Sequence, residues 1–231
     1  LLYSVLKSAT AEELADVKYA IVHVAGPTFN AYGAGMDNPN DTKEYLPISL
    51  QYRPYTAKTA RDPSLAGETL PDGSMENRTY RGKSTITANE SDLDFVISVR
   101  EKIPADAKLI LVLDLMNPMV FSEIEPYADA ILIGMRFMTE GPSAKAFANI
   151  ACGKTEPSGL LAFQMPKDMD TVEAQLEDVP RDMDCYVDAD GNTYDFCFGL
   201  NWSGVIDDER TKTYKAAPLA KPETCEVKAD A

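Results

Sequence analysis

Histidine is almost absent from this chain. Its 231 residues hold one, His23, and one tryptophan, Trp202. A single histidine excludes His-rich metal sites and most histidine-based triads, so any catalysis must lean on carboxylates. His23 itself lies in an apolar run and is expected to be a satisfied core residue. Basic residues are also scarce, with 22 Lys and Arg against 37 Asp and Glu and a net charge of −15. The bases are scattered rather than striped, so neither a phosphate backbone nor an anionic membrane surface is a fitting partner. A neutral, hydroxyl-rich ligand is compatible with this charge. No apolar run approaches the roughly 20 residues of a membrane helix. The longest, around Leu109 to Leu113, is strand-sized. The opening residues LLYSVLKSAT lack a basic start and are too short for a signal peptide.

Cysteine spacing is equally negative. None of Cys152, Cys185, Cys197 and Cys225 forms a CxxC pair, which disfavours a zinc ribbon or a thioredoxin-like site. Free or buried thiols are expected, with a disulfide such as Cys185 to Cys197 left open. Other motifs fail on one residue. Gly153-Lys154-Thr155 and Gly82-Lys83-Ser84 resemble the end of a phosphate loop, but Ala148 and Asn77 stand where its first glycine belongs. Gly33-Ala34-Gly35 starts a dinucleotide pattern that Asn38 breaks. Asp188, Asp190 and Gly191 mimic part of a calcium loop whose first and last ligands would be Tyr186 and Cys197. There is no GxSxG. Four sequons, at Asn40, Asn77, Asn89 and Asn201, matter only in a secreted eukaryotic protein.

What is present has a clear order. Hydrophobic content of 45% and charged content of 26% are those of a globular chain, long enough for one large domain or two small ones. Thr10 with Glu13 is a capping-box signature, predicting a short helix. YAIVHVAG (19–26) is a continuous apolar run, predicting a strand covered on both faces. Ser91 with Asp94 opens a predicted helix over SDLDFVISVREKI, and AKLILVLDLM (107–116) is a second strand. NPMVFSEIEPYA reads as a short helix, DAILIGM (129–135) as a third strand and GPSAKAFANIACG (141–153) as a helix. In that last helix Pro142 is in the first turn and Gly153 is at the stop. GLLAFQMP is a fourth predicted strand. This alternation predicts an α/β fold: a mostly parallel sheet with helices on both faces. From Pro166 onward the chain is acidic and irregular, with one aromatic segment, TYDFCFGLNW. No internal repeat is visible.

Residues 27–90 stand apart. They are rich in Gly, Pro, Asn, Asp, Thr and Tyr and have little periodicity. So long a loop region in a compact domain is functional or disordered. Phe29, Tyr32, Tyr45, Tyr52, Tyr55 and Tyr80 argue against simple disorder.

Three strings carry a resemblance: NPMVFSEIEPYADAILIGM, CGKTEPSGLLAFQMP and TYDFCFGLNWSGV. Together they resemble the second, α/β sandwich domain of glycoside hydrolase family 3, the β-glucosidase and exo-glycosidase family. There a "G(K/D)xxPSGxLPxxxP" turn and strand precede a "YxFGxGL" segment. The likeness covers about residues 15–206. It departs at Ala162, where the family has proline, and at Cys197, where it has glycine. It implies a sandwich domain over 1–206, a tail over 207–231, and a missing first strand. It also implies a TIM-like barrel that lies outside these residues and carries the nucleophilic aspartate. No cofactor or metal is implied. The implied partners are a β-linked glucoside or oligosaccharide and the barrel; the compartment stays open, with a periplasmic or secreted one favoured over the cytoplasm. The Pro157-Ser158-Gly159 turn and the strand after it read as scaffold.

A retaining glycosidase needs two carboxyls about 5–5.5 Å apart, one attacking and one donating a proton. The resemblance implies that this domain supplies the proton donor from its long loop. Glu76, followed by Asn77-Arg78, is the first candidate and Glu68 the second; Asp37 and Glu44 remain open, as does a solvated surface role for each. Arg78 is a candidate to hold a carboxylate or sugar hydroxyl, and Tyr52, Tyr55 and Tyr80 are candidates to stack on sugar faces, with loop anchoring as the alternative. The non-catalytic alternatives are a stand-alone carbohydrate-binding or interaction module, or a piece whose function belongs to a larger parent.

Overall fold

The three strongest apolar runs form one parallel sheet. In a computed structural model describing residues 9–28, 45–135, 142–176, 179 and 182–213, β1 is Tyr19–Ala25. Two short strands follow, β2 (Tyr55–Thr56) and β3 (Ser84–Thr85), then helix α1 (Glu90–Lys102), β4 (Lys108–Leu115) and β5 (Ala130–Met135). The sheet order is β1-β4-β5, with Val22 beside Leu111 and Leu111 beside Ile131. This is the α/β class that the strand and helix alternation predicts. Helices α2 (Pro142–Ala151) and α3 (Met169–Glu173), the hairpin β6–β7 (Leu200–Asn201, Gly204–Val205) and α4 (Glu209–Thr213) complete the described elements. None of the described helices is long and apolar enough to cross a membrane.

Side-chain alternation puts Val22, Val24, Leu109, Leu111, Leu113 and Leu115 on one sheet face, where they are buried. Leu93, Val96, Val99 and Ile103 recur at helical spacing along or just beyond α1 and close over that face. Each fully buried side chain of this kind contributes roughly 1.5–3 kcal/mol. Glu90 and Asp92 lie in the first turn of α1, and Arg100 and Lys102 in the last, which complements the helix dipole.

Several expectations are corrected. The bonds of the capping box form, Thr10 N to Glu13 Oε2 (2.8 Å) and Glu13 N to Thr10 Oγ1 (3.2 Å), yet 11–16 are turns rather than a regular helix. Their backbone mixes helical and tighter spacing, as in Leu14 N to Thr10 O and Val17 N to Leu14 O. Strand β1 is not covered on both faces: it alternates buried and exposed, with Tyr19 69% exposed. His23 belongs to the outward set, so it is not a core histidine; its Nε2 lies 3.9 Å from Asp114 Oδ2. Helix α1 starts one residue earlier than Ser91, with Asn89 at the cap position. The segment before β5 is two short 3-10 turns, Phe121–Glu123 and Glu125–Tyr127, not one helix. Pro126 sits at the start of the second turn, and Val120 N is drawn away to Leu50 O.

The expected fourth strand, GLLAFQMP, does not join the parallel sheet. Its backbone is bonded instead by later chain, Leu161 N to Phe198 O (2.7 Å), Cys197 N to Leu161 O (2.9 Å) and Met165 N to Tyr194 O (2.9 Å). Gly199 makes this possible, because a Cβ there would stand 2.2 Å from Gly159 O. Phe121, Tyr186, Tyr194 and Phe198 form an aromatic cluster, with Phe121 stacked on Tyr186, Tyr194 stacked on Phe198, and Tyr186 edge-on to Tyr194. Cys152, Cys185 and Cys197 stand as thiols rather than as a disulfide pair; Cys225 lies outside the described residues.

Candidate functional site

At the carboxyl end of β1 the chain leaves the sheet and returns to it at α1. Open α/β sheets bind ligands outside the carboxyl ends of their strands. Tyr52 fixes the root: its ring is fully buried, and its hydroxyl donates to Ala25 O (2.6 Å). Glu123 accepts from Tyr52 N (2.5 Å) and Arg53 N (3.2 Å). Burial pushes the Glu123 carboxyl above its ordinary value, against the pull of these two backbone bonds. Arg53 reaches α1, donating to Glu90 (2.8 Å) and Asp94 (2.7 Å). On the return side Asn89 accepts from Thr28 N (2.8 Å) and donates to Gly26 O (3.0 Å). Its amide therefore joins β1 to the start of α1 instead of capping the helix.

Beyond this root, β2 pairs antiparallel with β3 and closes off residues 57–83 as an excursion. A small second core of Tyr55, Ala57, Ala60, Val120 and Met169 lies beneath it. From α3, Glu173 takes Lys58 N (3.0 Å), Thr59 N (2.7 Å), Thr59 Oγ1 (2.5 Å) and the Tyr55 hydroxyl. Further out, polar side chains staple the two arms. Ser64 N bonds Asn77 Oδ1 (2.9 Å), Arg78 N bonds Ser64 Oγ (2.7 Å), Thr79 Oγ1 bonds Arg61 O (2.7 Å) and Arg81 Nε bonds Ala60 O (2.6 Å).

The tip is a small hairpin. Thr69 bridges Met75, and Leu70-Pro71-Asp72-Gly73 makes the turn, with Gly73 at φ 83°. Proline, aspartate and glycine in that order are a turn signal with a mechanism: proline presets φ, aspartate bonds its own backbone and glycine takes the left-handed position. Asp72 Oδ1 indeed accepts from Ser74 N (2.9 Å). Glu68 and Glu76 sit opposite each other across the hairpin, with Glu76 N donating to Glu68 O (2.9 Å).

Their surroundings differ. Glu76 Oε2 accepts from Arg78 Nε (2.7 Å) and Oε1 accepts from Tyr45 Oη (3.2 Å). The Arg78 guanidinium holds the Glu76 carboxyl below its ordinary value. Arg78 also lies over the Tyr45 ring, 5.1 Å from its centre. The Glu68 side chain is 84% exposed and meets Arg78 Nη2 only at 3.8 Å, which is too long for a hydrogen bond.

Among the residues chosen from sequence, Glu68, Glu76 and Arg78 therefore come together. Tyr80 is partly exposed on the same excursion. Tyr52 and Tyr55 are buried anchors whose rings offer no face to a sugar, which corrects the stacking expectation for both. Asp37 and Glu44 lie outside the described residues. Tyr45 was not singled out as the partner of Glu76, nor Glu123 and Glu173 as the clamps that hold the loop. The only sequence signal for Tyr45 is its aromatic character in a polar stretch. Among the described residues no group of three or more His, Cys, Asp and Glu is placed to hold a metal.

Comparison with known proteins agrees in direction. The chain is 31% identical over 111 residues to beta-glucosidase C of Emericella nidulans, a match covering 48% of this chain and 16% of that protein. It is 36% identical over 81 residues to a probable beta-glucosidase C of Aspergillus flavus, covering 35% and 12%. For a probable beta-glucosidase C of Aspergillus oryzae the identity is 39% over 66 residues, covering 29% and 10%. The chain thus spans 10–16% of the length of these relatives. No family model matches the chain, and no solved structure does.

Proposed function

We propose that this chain is the acid/base-bearing part of a retaining, exo-acting β-glycosidase, with a β-glucoside as substrate. At the coarse level, the partial likeness to the beta-glucosidases supports a glycoside-hydrolase-like activity. The observation that carries the finer reading is the stapled excursion at the carboxyl end of β1, with Glu68 and Glu76 side by side at its tip. The attacking carboxylate comes from a barrel outside these residues, on the same protein or a second chain.

A proton donor must reach the leaving oxygen and must exchange its proton each turnover. Glu76 is engaged on both oxygens by Arg78 and Tyr45. The Glu68 side chain is exposed and 3.8 Å from Arg78. We therefore reverse the order taken from sequence and assign the donor to Glu68, with Glu76 as its fixed anionic neighbour. In the first step Glu68 protonates the departing oxygen while the barrel carboxylate forms the glycosyl-enzyme bond. In the second, the Glu68 carboxylate takes a proton from the water that cleaves that bond.

The test is hydrolysis of an aryl β-glucoside by this chain joined to the barrel. Glu68→Gln is expected to lower kcat by about 10²–10⁴-fold. Unchanged turnover in Glu68→Gln with loss in Glu76→Gln returns the donor to Glu76. Unchanged turnover in both ends the proposal. Calorimetric binding of glucose oligomers by the chain alone, with no turnover once joined, marks it instead as a binding module.

A further inference from the structure

The hairpin tip is built more closely than a mobile loop needs. Gly67 lies against the opposite arm: a Cβ at this position would stand 2.1 Å from Glu76 O and 3.0 Å from its carbonyl carbon. Only a residue without a side chain allows that approach. Both are backbone atoms, so a substitution must move the arms apart. The approach puts Glu68 N 3.4 Å from Glu76 Oε2 and brings both carboxylates to one guanidinium. Around Glu76 stand Arg78, Tyr45 and, on the opposite arm, Glu68; around Arg78 stand Glu76, Tyr45 and Glu68.

From this geometry, and resting on the assignment of Glu68 as donor, we infer that Arg78 is a positioning residue that divides the labour of the two carboxyls. Its Nε grips Glu76 at 2.7 Å while its Nη2 stays 3.8 Å from Glu68. Tyr45 completes the arrangement by lying under the guanidinium and donating to the other Glu76 oxygen. Two carboxyls that interact by more than about one pK unit titrate as a coupled pair. With the guanidinium bonded to Glu76 at 2.7 Å and 3.8 Å from Glu68, the two carboxyls stand in different surroundings. A lysine replaces this fork only in part, because an ammonium is a point charge without the planar set of donors and stacks less well on the tyrosine.

The experiment is a carboxyl NMR titration of the 231-residue chain labelled at glutamate, which needs neither barrel nor substrate. In Arg78→Gln, the Glu76 midpoint is expected to rise toward the ordinary carboxylate range, and Glu68 and Glu76 to titrate in two coupled steps. In Glu76→Gln, Arg78 is released to turn onto Glu68, and the Glu68 midpoint is expected to fall. This second variant keeps the inference testable if Arg78→Gln disorders the hairpin. In the barrel-joined protein, Arg78→Gln is expected to lower kcat by about 10–100-fold with little change in KM and a displaced acid limb of the pH profile, partly restored by Arg78→Lys. Unmoved midpoints in both variants overturn the inference. If Glu68→Gln leaves hydrolysis intact while the midpoints move as stated, the donor assignment fails and the role of Arg78 toward the pair stands.

Discussion

The sheet and the excursion are held by different physics. In the sheet, the buried faces of β1, β4 and α1 meet through apolar side chains, with Leu109, Leu111, Leu113 and Leu115 fully buried. In the excursion, order comes from side chains bonded to distant backbone: Glu123 to residues 52 and 53, Glu173 to 58 and 59, Asn77 to 64. Burial is non-directional and tolerates exchange of one apolar residue for another. A side-chain carboxylate on two backbone amides is directional, and its loss strands those donors. The difference suits the proposed division of work. The sheet has to persist, while the tip has to hold two carboxyls in one geometry.

Four changes sharpen or break this comparison. Leu111→Ala should cost about 2–5 kcal/mol and lower global stability, read from denaturant unfolding; a loss below about 1 kcal/mol would mean that the described face is not the core. Glu123→Ala should cost about 1–3 kcal/mol by stranding two backbone N–H groups at the root. Hydrogen exchange should quicken at residues 52–53 first, and uniform quickening across the sheet would contradict a local clamp. Glu173→Ala should cost about 1–2 kcal/mol, confined to 57–83, with the protection of β4 unchanged; equal loss in β4 would make sheet and excursion one cooperative unit. The smallest change is with pH. Arg78 holds the Glu76 carboxyl below its ordinary value when folded. That contribution is present above the ordinary value and is lost as pH falls through the folded one. Protection within 68–76, taken relative to the intrinsic exchange rate at each pH, should therefore fall on acidification in the wild type, and an equal fall in Glu76→Gln would deny the pair this role.

Legibility in the sequence followed the same division. The strands 19–26, 107–116 and 129–135 and the helix near 91 were readable because an apolar run or a helical repeat is a local property of the chain. The capping box of Thr10 and Glu13 was readable for its bonds but not for a helix, since six residues of turn carry too little propagation to settle into one. GLLAFQMP read as a strand of the sheet because apolar content alone does not name its neighbour. Its partners proved to include residues 194–198, about thirty or more positions later. At the candidate site, Glu68, Glu76 and Arg78 were readable as a carboxylate-bearing stretch. Tyr52 and Tyr55 were left open between anchoring and stacking, because a tyrosine that anchors and a tyrosine that stacks look alike until burial is known.

By itself, the order of residues determined an α/β chain with a parallel apolar centre, an acidic surface and a long polar excursion bearing carboxyls. These follow from periodicity and composition, which each segment carries within itself. Only the tertiary structure decided which face of β1 is outward, which tyrosines are walls, and which of two glutamates Arg78 grips. Those outcomes depend on contacts between residues far apart in the chain, and the energy of such a contact exists only once folding has brought its two halves together.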